Sequence, residues 1–208
     1  MEINLSNDKE LLNVLWKATD GLTLVSNDRT KLGAGCLQLA QDHHVSILLL
    51  IEKSYYSSAF ALLRVQFDSF LRGVWILRLA SDKKINDYNK NRLDIKMNEM
   101  IKMVSSLPDY ENTEFESMSK SLKAMNSYTH SGYSANLNHQ DNGFIQQNHK
   151  KEDILNILKH ASYFGSLASI EILQLAQDEI SSSDLDLISS ALNKYLKHFR
   201  LRAQPNLQ

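Results

Sequence analysis

Two stretches carry side chains whose types and spacing could do chemistry. Arg64, Asp68 and Arg72 recur at intervals of four inside SYYSSAFALLRVQFDSFLRGVWILRLA, residues 54–80. Four residues advance about 40° past a full helical turn, so the three groups form one slanting column of alternating charge, continued by Phe60 above and Ile76 below. One acid between two arginines leaves a net positive charge, which suits an anion such as a phosphate. The plainer reading is an intrahelical ladder from Arg64 through Asp68 to Arg72 that fixes helix register and does no chemistry.

The second stretch is AMNSYTHSG, residues 124–132. Asn126 and His130 are four apart and leave a helix end on the same side, with Tyr128 and Thr129 beside them. A histidine is the natural proton carrier near neutral pH. An asparagine one turn away can orient it or hold a phosphate oxygen. The alternative is a surface histidine that interacts with a helix C-terminal dipole.

Other chemistries find less support. No Glu-x-x-His occurs, so the di-metal helical-bundle pattern is absent. His43 and His44 are adjacent and would splay by about 100° on a helix. His139 and His149 lie in or beside a polar loop without a recognisable ligand spacing. There is no Walker A motif, no G-x-G-x-x-G and no G-x-S-x-G, and no short helix pair carries a basic recognition face. With Cys36 the sole cysteine, an intrachain disulfide and a cysteine-only zinc site are excluded, and the residue reads as a small buried hydrophobe.

The whole chain must position these groups. Its 208 residues are 43% hydrophobic and 23% charged, with a net charge of -1 and a pI near 6.7. Any phosphate binding must therefore be local, since no global positive field exists. Residues 54–80 are long enough to span a bilayer, but Arg64, Asp68, Arg72 and Arg78 would each cost roughly 2.5 to 3.5 kcal/mol near its centre. The stretch is therefore expected as the central helix of a soluble bundle, with no membrane association. The N-terminus, MEINLSNDKELL, does not read as a secretory signal, so a cytoplasmic location is expected.

Two prolines and seven glycines favour long helices. A capping box at Asn7 and Glu10 predicts a helix from about Asp8 to Thr19. A second helix, about Thr30 to Lys53, is capped by Ser26, Asn27 or Asp28, and Gly33 and Gly35 near its start would let another helix approach closely. Ser54 is expected to cap the central helix, making an antiparallel hairpin. A more polar helix follows from Asp82 to Val104, with Leu93 on its apolar face, and Leu107-Pro108 stops it. The next helix starts at Asn112 or Thr113 and closes near His130 at Ser131-Gly132. Residues 132–150 read as a polar loop, and helices are expected at Glu152–Glu179 and Asp184–Arg202. The expected fold is all-α: a single domain over residues 1–208, a bundle of about six or seven helices.

The order AFALLRVQFDSFLRGVWILRLASD, then MNSYTHSG some fifty residues on, resembles an uncharacterised bacterial all-helical family. Its members share A-x-x-L-L-R, an acidic residue, R-G-x-W and N-S-Y-T-H. A looser similarity is to the HEPN superfamily, helical domains that include RNA-cleaving toxins and defence effectors which dimerise to assemble an active site. Asn126 and His130 match the superfamily's polar residue, three-residue gap and histidine, whereas Met125 stands where its arginine belongs. Arg64 or Arg72 would then supply that charge from a neighbouring helix.

The resemblance implies a HEPN-like endoribonuclease that uses neither metal nor cofactor. His130, Asn126, Arg64 and Arg72 would be catalytic, supported by Asp68, Tyr128 and Thr129. RNA, a second copy in a homodimer and a protein from the same operon are the implied partners. The alternative is a non-catalytic interaction module of a toxin-antitoxin or phage-defence system, with the same groups joined in a buried polar core.

Overall fold

The computed structural model describes residues 3–92, 95–111, 115–141, 144–176 and 182–203. Nine α-helices follow one another among them: α1 (Ser6–Thr19), α2 (Asp28–Glu52), α3 (Tyr56–Arg78), α4 (Asp82–Asn89), α5 (Met97–Ser105), α6 (Phe115–Thr129), α7 (Tyr133–Leu137), α8 (Lys151–Leu173) and α9 (Ser182–Ala203). A single 3-10 turn, Pro108–Tyr110, precedes α6, and the two-residue strands β1 (Gln140–Asp141) and β2 (Phe144–Ile145) pair antiparallel after α7. None of the described helices is long and apolar enough to cross a membrane.

The α2–α3 hairpin is the frame of the molecule. Asn27 caps α2 as expected, its side chain accepting from the Thr30 N–H at 2.9 Å. Ser54 does not cap α3. It adopts a left-handed φ of 61°, while Ser54 N–H donates to the Ile51 carbonyl at 3.0 Å and Tyr55 N–H to Leu50 at 2.7 Å. That is a Schellman motif closing α2, with serine where glycine is favoured. The same device ends α4, where Asn91 has φ 52° and Arg92 N–H donates to the Asp87 carbonyl at 2.8 Å. This turn divides the expected 82–104 helix in two; Leu93 lies outside the described residues.

Two glycines bring α2 and α3 together. A Cβ on Gly33 would lie 2.4 Å from Leu77 Cγ, and one on Gly73 2.7 Å from Leu37 Cγ. Gly35, expected to serve the same end, has nothing within 4 Å of that position. At the other helix faces, α3, α5, α6 and α8 close over Phe67, Phe70, Phe115 and Phe164, all buried with ring centroids 4.8 to 6.1 Å apart. Each such side chain is worth about 1.5 to 3 kcal/mol when removed from water. A second apolar cluster, Leu11, Leu15, Leu173, Ile188 and Tyr195, joins α1, α8 and α9.

Two further expectations are corrected. Asn7 and Glu10 form no capping box; the first residue before α1 is Leu5, and Asn4 Oδ1 accepts from the Ser6 N–H at 2.9 Å. The polar loop at 132–150 holds a helix and a β pair, both too short for their periodicity to show in sequence. The expected start of α6 at Asn112 or Thr113 lies outside the described residues, whereas the helix expected to run on to Glu179 already ends at Leu173, with Gln174 as its C-cap.

Candidate functional site

The charged column runs along α3 as the spacing requires, but it is not a continuous ladder. Arg72 Nη2 lies 3.3 Å from both carboxylate oxygens of Asp68, each side chain partly exposed. Arg64 turns away from Asp68 and donates through Nε to Asn126 Oδ1 at 3.0 Å. Its terminal nitrogens have no hydrogen-bond partner among the described residues. Burial lowers the Arg64 pKa; Asp68 opposes the shift and Arg72 adds to it. Lower on the column, the Arg72 guanidinium stands 6.0 Å from the centre of the Tyr88 ring, and the Tyr88 hydroxyl is 3.6 Å from Cys36 Sγ. Burial and the contact with Cys36 push Tyr88 up to about 12.

The Arg64–Asn126 bond ties α3 to the last turn of α6. That turn closes with another Schellman motif: Ser131 has φ 52° and Gly132 N–H donates to the Ser127 carbonyl at 2.6 Å. Asn126, Thr129 and His130 are exposed there. The His130 imidazole faces solvent one turn beyond Asn126, and Thr129 Oγ1 donates to the Met125 carbonyl at 3.1 Å. Tyr128 points inward instead: its ring lies 4.6 Å from Phe60 and its hydroxyl accepts from Asn138 Nδ2. Burial raises the Tyr128 pKa, against the Asn138 hydrogen bond. The polar groups therefore do not make a buried core, because three of the four residues at this helix end are solvated. Met125, where the superfamily has arginine, is 5% exposed and belongs to the core.

One cluster escaped the sequence reading. Ser57 Oγ lies 2.8 Å from His139 Nε2 and 3.0 Å from His149 Nε2. The His149 ring is cradled by Phe60 at 5.2 Å, Tyr56 at 5.7 Å and Tyr128 at 6.1 Å. Burial lowers the His149 pKa and His139 adds to the effect, with Asp153 opposing. Phe60 and Tyr128 thus connect this cluster to the Arg64–Asn126 junction one turn away. The only signal in the sequence was a pair of histidines in an Asn- and Gln-rich segment; their partner serine lies 82 and 92 residues earlier.

Residues 37–198 match the model of a family of unknown function, DUF6988. The chain belongs to that family. The matched span includes Ser57, Arg64, Asn126, His130, His139 and His149. No curated protein and no solved structure matches the chain.

A second polar network in this DUF6988 protein lies at the opposite end of α3. Arg78 reaches Glu171 at 2.8 Å, Gln174 at 2.6 Å and Asp109, and the Tyr110 hydroxyl donates to Glu171. Glu171 is 3% exposed, and burial raises its pKa in spite of the Tyr110 and Arg78 hydrogen bonds. Burial opposes the charge on Arg78 but is outweighed by Asp109, Glu171 and Tyr110, so its pKa is raised. These five linked groups at a helix junction are a clamp between α3, the C-terminal end of α8 and the Pro108–Tyr110 turn. Among the described residues, no group of three or more His, Cys, Asp or Glu side chains could hold a metal ion.

Proposed function

We propose that this DUF6988 protein is a HEPN-like, metal-independent ribonuclease of toxin or defence type, with a second copy of the chain completing its cleft. The observation that carries the reading is the Arg64–Asn126 hydrogen bond, which sets a guanidinium with unengaged terminal nitrogens beside the helix end bearing an exposed His130. An RNA phosphate binds at Arg64. His130 moves the proton of the attacking 2'-hydroxyl or of the leaving oxygen. Arg64 and Arg72 stabilise charge that builds on the phosphate, Asp68 holds Arg72, and Asn126, Thr129 and Tyr128 shape the site. Incubation of a defined RNA with the purified protein tests this: cleavage should occur in the presence of a chelator and be lost in His130→Gln with the fold intact.

Two contacts support a second reading, a non-catalytic module that binds a partner protein. Arg72 is already neutralised by Asp68 at 3.3 Å, and Arg64 already has an internal acceptor in Asn126. On that reading no RNA is cleaved, and the protein co-purifies with a chain encoded beside it.

A further inference from the structure

We propose that Ser57 is the nucleophile of a separate ester-cleaving centre, with His149 as its base and His139 as the donor that supports it, and with esters carrying an anionic group as substrates. A serine hydroxyl has one proton to give. With imidazole nitrogens at 2.8 and 3.0 Å, it donates to one ring and accepts the N–H of the other, so the two histidines hold opposite tautomers. One ring is thereby a ready base and the other a donor toward the developing negative oxygen. This is the nucleophile-and-base pairing of covalent catalysis. The aromatic cradle of Tyr56, Phe60 and Tyr128 fixes the His149 ring, and the carboxylate of Asp153 contributes to the field at that imidazole.

The position of Ser57 adds a second element. It is the second residue of α3, and the first helical N–H with a carbonyl partner is that of Ala59, bonded to Tyr55 at 3.2 Å. The N–H groups of Tyr56, Ser57 and Ser58 precede it and have no acceptor within the helix. Such amides, at the positive end of a 23-residue helix, are suited to an oxyanion formed by attack from Ser57 Oγ. All three of Ser57, His139 and His149 are partly exposed, so an ester can reach them.

The substrate class follows from the same helix. Ser57 and Arg64 are seven residues apart, which places them on one face and about 10 Å apart along the axis. The unengaged end of Arg64 fits a carboxylate or phosphate at the far end of the acyl group, and Phe60 and Tyr128 between them fit an apolar spacer. The reaction balances with water as co-reactant. The Ser57 proton passes to His149 as Oγ bonds to the carbonyl carbon. The carbon–oxygen bond of the leaving alcohol breaks, and that oxygen takes the proton from His149. Water, deprotonated by His149, then attacks the acyl-serine, releases the acid and restores the hydroxyl.

The full-length protein treated with a fluorophosphonate probe and analysed by peptide mass spectrometry tests the proposal. A single adduct on Ser57 is expected, with a labelling rate that rises with pH as one imidazole loses its proton, and about 100-fold slower labelling in a folded His149→Gln variant. Hydrolysis of p-nitrophenyl half-esters of linear dicarboxylic acids should exceed that of neutral esters of equal length, and Arg64→Gln should remove the preference. No Ser57 adduct on the wild-type protein overturns the proposal whether or not His149→Gln folds, as does equal labelling of the folded variant. Absence of RNA cleavage with Ser57 labelled overturns only the ribonuclease reading.

Discussion

Arg64 and Asn126 are 62 residues apart in the chain, yet Arg64 Nε donates to Asn126 Oδ1 across 3.0 Å. The contact fixes the register between α3 and α6 and draws the arginine away from the acid one turn below it. Asn126 is exposed and Arg64 half-buried, so the pair forms at a solvated lip of the bundle. A double-mutant cycle of Arg64→Ala and Asn126→Ala in urea denaturation should give a coupling of about 1 kcal/mol, in the range of a hydrogen bond to a charged group near solvent. Strictly additive losses would contradict the contact.

Glycine placement on the hairpin gives opposite signs for similar changes. Gly35→Ala meets open space two turns into α2 and should raise stability by up to about 1 kcal/mol through helix propensity. Gly73→Ala drives a methyl toward Leu37 and to 3.1 Å from the Gly33 carbonyl oxygen, and should lower it by more than that gain. Ser131→Gly relieves a left-handed serine and should add about 0.5 to 1 kcal/mol. Urea midpoints for the three variants check both signs.

His44 is fully buried in α2, its Nε2 3.2 Å from Ser162 Oγ and its Nδ1 without a hydrogen-bond partner among the described residues where the ring faces Gly165. Burial lowers its pKa from 6.5 to about 4. The unfolded chain therefore binds more protons at this site between those two values, and the stability it carries is whole above pH 6.5 and lost as pH falls toward about 4. The loss amounts to about 3 kcal/mol by linkage. Melting temperature should fall over that window in the wild type and fall less steeply in His44→Leu; equal slopes would contradict the assignment.

The Arg78 clamp is structural, and its variants should separate stability from activity. Arg78→Ala leaves Glu171 buried beside Tyr110 without its cation and should cost about 3 kcal/mol. The double variant Arg78→Met with Glu171→Leu should recover part of that loss, because it also removes the carboxylate that would otherwise stay buried without its cation. Thermal melts decide between these outcomes and an independent, additive behaviour.

Much of the frame was legible in sequence because its long helices repeat their apolar positions many times. The Asn27 cap of α2 and the stop near His130 are local chemistry, readable from a few adjacent residues. The charged column on α3 was legible too, but not its partners. Which of Asp68 or Asn126 takes Arg64 depends on how α6 packs, and a four-residue spacing says nothing of that. Ser57, His139 and His149 meet only after α3, the β pair and the start of α8 are assembled. The break after Asn89 was hidden because Asn91 closes α4 in a left-handed turn, a conformation that asparagine tolerates without any glycine to mark it.

The most direct test of the ribonuclease reading is cleavage of a defined single-stranded RNA by the purified protein in the presence of a chelator, with the product ends identified by mass. Wild-type protein should leave 2',3'-cyclic phosphate ends, and His130→Gln, with an unchanged melting temperature, should be slower by about 100-fold or more. No cleavage by the wild type, or equal rates from the two proteins, would contradict it.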